Sequence, residues 1–250
     1  MLNEPTLEKL KSLKLYGMVK AMEQVQSSPP KELSPLEFLG LLVDAEALER
    51  ENRGMTRRLQ AAKLRHSACV EDIDWRHPRG LKKSSFLDLQ SSRWIQAHQN
   101  VILTGPTGIG KSWLACALGQ KGCRDGFTVL YRRASRLFDE IYQSRADGSY
   151  PKLLSRIGKC QLLILDDFAL APLEPHARYG LLDILEERYE RGSSMITSQL
   201  APEHWHKVIG DATVADAICD RLIHSAHRIT LSGETMRKPK TSQKEEEKTK

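Results

Sequence analysis

The chain has 250 residues, 40% of them hydrophobic and 28% charged, with a formal net charge of +6 and a pI near 9.0. That length and apolar content accommodate one large domain, or a small one beside a medium one, and exclude a wholly disordered chain. The charge is a mild bias toward polyanions. Five scattered cysteines without a C-x-x-C pair, and Met1-Leu2-Asn3-Glu4-Pro5 without a secretory pattern, suit a reduced cytoplasmic setting.

The first stretch reads as helical. Leu7, Leu10, Met18, Met22 and Val25 fall near one stripe, and Ser27-Ser28-Pro29-Pro30 interrupts it. Ser34-Pro35-Leu36-Glu37 predicts a helix start, with Ser34 as N-cap, Pro35 in the first turn and Glu37 closing a capping box. The helix that follows places Phe38, Leu41, Ala45, Leu48, Met55 and Leu59 on one side, and Arg50, Arg53 and Arg57 on the other. The apolar run Phe38 to Val43 is too short to cross a bilayer, so no membrane contact is expected. From Arg53 to Arg65 there are five basic residues and no acidic one. That row reads equally as a solvated helix face or as a stripe of phosphate contacts.

Trp75-Arg76-His77-Pro78-Arg79-Gly80 predicts a linker. Beyond it, apolar runs at 101–104, 127–132, 161–165, 194–198 and 228–231 alternate with helical patterns, which implies a parallel sheet covered on both faces. The expected organisation is a helical domain over 1–66, a linker and module start over 67–99, an α/β module over 100–237 and a disordered Lys/Glu/Ser-rich tail over 238–250.

Gly105-Pro106-Thr107-Gly108-Ile109-Gly110-Lys111-Ser112 follows a strand and precedes a helix-prone segment, the setting a P-loop requires. Its glycines let backbone N–H groups turn toward a chain of phosphates. Lys111 reaches the β/γ oxygens, the Ser112 hydroxyl can ligate Mg²⁺, and the helix start adds positive potential. The sequence is read as binding a nucleoside triphosphate.

Such a site needs a metal partner and a group that orients water. Leu162-Leu163-Ile164-Leu165-Asp166-Asp167 supplies both at the end of a buried strand, Asp166 for Mg²⁺ and Asp167 for the attacking water. The next strand ends Thr197-Ser198-Gln199, where a polar side chain can reach the γ-phosphate or the water. His224 with His227, and His204 with His206, raise a zinc question that no paired cysteine or acidic partner supports.

Together these segments resemble the IstB/DnaC group of AAA+ ATPases, and within it the IstB transposition helpers of insertion sequences. Leu15-Tyr16-Gly17-Met18, Glu71-Asp72-Ile73-Asp74-Trp75, Leu165-Asp166-Asp167-Phe168, Glu187-Arg188-Tyr189-Glu190 and Thr197-Ser198-Gln199-Leu200 with Trp205 carry the likeness. So do Asp220-Arg221-Leu222-Ile223-His224 and Gly233-Glu234-Thr235-Met236-Arg237. The resemblance implies an AAA+ P-loop fold with a parallel five-stranded sheet behind a small all-helical N-terminal domain. It implies an ATPase that uses ATP and Mg²⁺, duplex DNA and a cognate transposase as partners, and a homo-oligomer with ATP at subunit interfaces.

It also implies residue roles. Gln199 falls at the sensor 1 position, Arg221 matches the box VII arginine acting on a neighbouring subunit's ATP, and Arg237 matches the sensor 2 arginine. Asp167 stands where the superfamily usually has Glu, Gln199 where Asn is commoner, and Trp113 where smaller residues are usual. A helical insert after the second strand grips nucleic acid in this family. Here 121–159 carries nine Lys/Arg against four Asp/Glu, with Arg132, Arg133, Arg136, Arg145, Lys152 and Arg156 as candidate phosphate contacts. A helicase loader of the same fold, an ATP-binding DNA scaffold and a small-molecule kinase are the alternative readings.

Overall fold

The computed structural model describes residues 3–27 and 33–236. Arg237, most of the Ser27–Pro30 interruption and the expected tail lie outside the described residues. The chain divides into two compact units, Met1–Arg57 and Arg58–Lys250.

The first unit is helical: α1 (Asn3–Ser12), α2 (Tyr16–Ser27) and most of α3 (Pro35–Ala62). The capping box closes as expected, with Ser34 N–H donating to Glu37 Oε2 at 2.8 Å and Glu37 N–H to Ser34 Oγ at 3.3 Å. The buried face of α3 differs from the expected stripe. Leu42 and Glu46 are buried, whereas Leu41 and Leu48 are exposed, Leu48 at 59%. The reason is backbone contact: a Cβ on Gly17 of α2 would sit 2.3 Å from the Ala45 carbonyl oxygen. Helices that close turn toward each other the residues beside the glycine, and Leu41 and Leu48 are left outside while Phe38, Ala45, Met55 and Leu59 stay partly buried. Glu46 Oε2 then accepts from Gly17 N–H at 2.7 Å.

In the second unit a 3-10 turn at Val70–Asp72, α4 (Lys83–Gln90) and α5 (Arg93–Gln96) occupy the expected linker region. They lead into β1 (Asn100–Thr104), α6 (Lys111–Arg124), β2 (Val129–Arg133), α7 (Ala134–Ala146) and α8 (Tyr150–Gly158). Then come β3 (Leu162–Phe168), α9 (Pro175–Arg188), β4 (Ser193–Ser198), α10 (Trp205–Ile209), α11 (Ala212–Ile223) and β5 (Ala226–Thr230). All strand pairs are parallel, in the order β2-β3-β4-β1-β5.

Alternate residues of β3 feed two cores. Leu162 and Ile164 pack with α6, while Leu163 and Leu165 pack with α7, α9 and α11. The sheet is therefore covered on both faces, which is why β1 and β3 read as near-continuous apolar runs. All C-terminal strand ends gather at one edge, where parallel sheets place ligands.

Candidate nucleotide site

The P-loop links β1 to α6 at that edge. Gly105, Gly108 and Gly110 all take positive φ, and at Gly108 (φ 83°) a Cβ would lie 2.1 Å from Thr235 Oγ1. The loop is thus pressed against the 233–236 turn, whose Met236 N–H donates to the Gly108 carbonyl at 2.9 Å. Buried Lys111 donates its Nζ to the Gly105 and Pro106 carbonyls at 2.7 and 2.8 Å. Its charge is held within the loop it would lend to phosphates.

A cavity of about 560 Å³, a size suited to a nucleotide, opens over the loop. Thr107, Gly108, Gly110, Lys111, Ser112, Asp167 and Gln199 line it together, so the sequence-predicted site converges. Trp113, Arg65, His66, Asp72, Asp74, Arg79, Arg133, Leu170 and Met236 complete the wall. Arg79 is a buried member, bracing the loop by donating toward the Ile109 and Asp74 carbonyls at 3.5 and 3.3 Å. Burial pulls its guanidinium below the usual arginine range, and the Asp74 charge opposes that.

Asp166 ends the regular part of β3 with its side chain fully buried (0% exposed). The hydroxyls of Tyr131 and Thr197 each donate to it at 2.6 Å, one to each oxygen. Burial, then the Asp166 carboxylate, pushes the Tyr131 hydroxyl far above the tyrosine range, which keeps it a donor. Thr197 Oγ1 also accepts the Asp167 N–H at 3.0 Å, tying β4 to both acids. Asp167 takes φ 58° beside a register shift between β3 and β4, an irregularity within β3 that parts the two acids. One is buried, and the other is 21% exposed at the cavity.

Two arginines face this pair. Arg133 Nη2 lies 3.1 Å from Asp167 Oδ2, and Arg65 Nη1 lies 3.6 Å from Asp166 Oδ2 and 3.7 Å from Asp167 Oδ2. The Tyr131 hydroxyl, with both acids adding, raises the Arg65 guanidinium further. The donor set suits Mg²⁺. Ser112 and Asp166 offer only hard oxygens, and each Asp166 oxygen that accepts one hydroxyl retains a second lone pair.

Several expected DNA contacts are placed elsewhere. Arg133 turns into the cavity because its position on β2 lies in register with Asp166. Arg132 is buried against Glu140, at 3.0 Å, and is not a surface cation. Arg145 pairs with Asp183 at 2.9 Å and stacks on Tyr150, and Arg156 pairs with Glu140 at 3.0 Å. Arg136 and Lys152 are exposed on the helical insert, α7 and α8. In the first unit Arg50 pairs with Glu46 at 2.7 Å, Arg53 lies near Glu46 and Glu49 and over the Tyr16 ring, and Arg57 is exposed.

Arg221 does not line the nucleotide cavity. Its Nη2 donates to Glu186 at 2.9 Å, and the residue lines a second cavity of about 440 Å³ at the end of the sheet where β1 and β4 begin. Sequence reasoning missed Arg65, Arg79 and Tyr131 as site residues, and placed Thr197 at a polar strand end without its link to the two acids. Tyr131 carried a signal, lying two residues before Arg133 on the same strand face.

A family model described as IstB-like ATP binding protein matches residues 8–244. The insertion sequence ATP-binding protein y4pL of Sinorhizobium fredii is 52% identical over 239 residues, covering 95% of this chain and 98% of that protein. The IS1162 ATP-binding protein of Pseudomonas fluorescens is 42% identical over 202 residues, 80% of this chain and 87% of that one. Among solved structures, DnaI superposes with a TM-score of 0.56 at 20% identity, over 66% of this chain and 91% of that chain. AMPPCP-bound DnaA from Aquifex aeolicus gives 0.55 at 17% identity, over 68% and 51%. The last two are likenesses of fold.

Proposed function

The chain belongs to the family of IstB-like ATP binding proteins, and on that premise we propose that it hydrolyses ATP while assembled on duplex DNA, where it assists a transposase in target selection and insertion. Family and fold make it an ATP-binding AAA+ protein. The observation that carries the rest is the convergence of Lys111, Ser112, Asp167 and Gln199 on one cavity, with Asp166 directly behind Asp167.

In this reading Lys111 exchanges the Gly105 and Pro106 carbonyls for the β- and γ-phosphates. Ser112 and Asp166 would hold Mg²⁺, which would supply charge neutralisation there. Asp167 orients the attacking water and accepts its proton, and Gln199 contacts the γ-phosphate or that water. Arg237 touches the γ-phosphate in its own subunit. Arg221, turned away from its own cavity, acts on the ATP of a neighbouring copy, so nucleotide holds the oligomer together. Exposed Arg136 and Lys152, with Arg57, Arg50, Arg145 and Arg156 in support, contact DNA phosphates without reading bases.

The test is the lifetime of protein–DNA complexes on a duplex with ATP, followed by mass photometry for wild type and Asp167→Ala. ATP-dependent oligomers that persist in the variant and decay in wild type are expected. Equal lifetimes would instead describe a scaffold that binds ATP without using it, and preference for single strands would describe a helicase loader.

A further inference from the structure

Arg65 belongs to none of the motifs that mark the nucleotide site, yet its guanidinium stands in the cavity. It follows the end of α3, where Lys63 takes φ 52° and turns the chain out of the helix. The backbone there is anchored: Leu64 packs against the α6-side core, and the backbone of Arg65 and His66 engages Cys116. The Arg65 side chain is 42% exposed. The base is fixed and the head is half exposed.

That head lies at ion-pair distance from both acids, 3.6 Å from Asp166 and 3.7 Å from Asp167, and at hydrogen-bond distance from neither. Asp167 has a closer partner in Arg133, whereas the hydroxyls of Tyr131 and Thr197, both neutral, donate the hydrogen bonds to buried Asp166. A half-exposed guanidinium held by charge and by the Tyr131 hydroxyl, without a bidentate fit to either acid, is released readily when a stronger anion arrives. A triphosphate in this cavity is that anion.

We propose that Arg65 is a positioning residue that neutralises the Asp166–Asp167 pair while the cavity lacks a triphosphate and turns to the phosphates when one enters, so that the site accepts ATP before Mg²⁺. The inference rests on reading this cavity as the ATP site. Without Mg²⁺, two carboxylates beside the γ-phosphate repel the nucleotide, and a mobile cation offsets them. With Mg²⁺ bound, the metal supplies that charge and the arginine becomes nearly dispensable.

The test is a fluorescence titration of the full chain with N-methylanthraniloyl-ATP, in EDTA and in saturating Mg²⁺. Arg65→Gln is expected to weaken binding about tenfold in EDTA and less than about threefold in Mg²⁺. Arg65→Lys, which keeps the charge, is expected to stay within about threefold of wild type in both. Adding Asp167→Asn to Arg65→Gln is expected to recover most of the loss in EDTA. Equal loss in both conditions, no loss in either, or failure of the double variant to recover would overturn the proposal, as would Arg65→Lys behaving like Arg65→Gln. Lys111→Ala isolates the underlying reading. If it binds the probe as wild type does, the cavity is not the triphosphate site and the proposal falls with it.

Discussion

At the scale of single residues, Thr197 links the two acids of the site. Its hydroxyl donates to Asp166 and accepts the Asp167 N–H, and the side chain is fully buried. Thr197→Val keeps the shape and leaves a carboxylate oxygen and an N–H short of a partner, so it is expected to cost about 1–3 kcal/mol in a urea titration. Thr197→Ser should retain most of that stability. Burial pushes the thiols of Cys123 and Cys219 up to about 11, with the Asp216 charge adding at Cys219. At about pH 8, iodoacetamide is expected to alkylate neither until the chain is unfolded, read by mass spectrometry. Because these thiols ionise later in the folded state, their contribution to stability is whole below the ordinary thiol pKa and is lost as pH rises toward about 11. The P-loop and the acid pair were legible because each is contiguous in sequence and its chemistry is local. Arg65, Arg79 and Tyr131 were not, because sheet register and helix packing bring them to the site from distant segments. Arg133 was visible as a cation, but its destination depended on facing Asp166 across β2 and β3.

At the scale of elements, the central strands were readable for a physical reason: a sheet covered on both faces needs apolar residues at successive positions, which Val101–Leu103 and Leu162–Leu165 supply, whereas edge strand β5 buries Ile229 alone. The buried side of α3 was not readable, because the glycine contact between α2 and α3 outweighs the leucine stripe. Gly17→Ala is expected to push these helices apart, since the added Cβ meets backbone at 2.3–2.7 Å. A loss of about 1–3 kcal/mol should appear as faster amide exchange across residues 16–27. Burial raises the Glu46 carboxyl, but hydrogen bonds from Arg50 and from the Gly17 and Met18 N–H groups outweigh it and leave it below the usual range. Its contribution is therefore present above the ordinary carboxylate pKa and lost as pH falls below it. Glu46→Gln should flatten that acid limb in the same exchange measurement, and an unchanged limb would assign the acid sensitivity to other groups.

At the scale of the whole molecule, a helical unit and an AAA+ unit share a chain whose excess positive charge is not spread evenly. The α7–α8 insert leaves Arg136 and Lys152 exposed, while neighbouring arginines are paired with Glu140 and Asp183. Replacing Arg136 and Lys152 by Ala is expected to weaken duplex binding at low salt and to lower the salt slope by about 0.9 per lost phosphate contact, measured by fluorescence anisotropy. Arg221 lies away from its own cavity and beside Glu186, and under the proposed function hydrolysis is expected to depend on assembly. The most direct test is steady-state ATP turnover with and without duplex DNA for wild type, Lys111→Ala and Arg221→Ala. DNA-stimulated turnover that disappears in both variants is the expected result. Full stimulated turnover in Arg221→Ala would contradict a site completed between subunits.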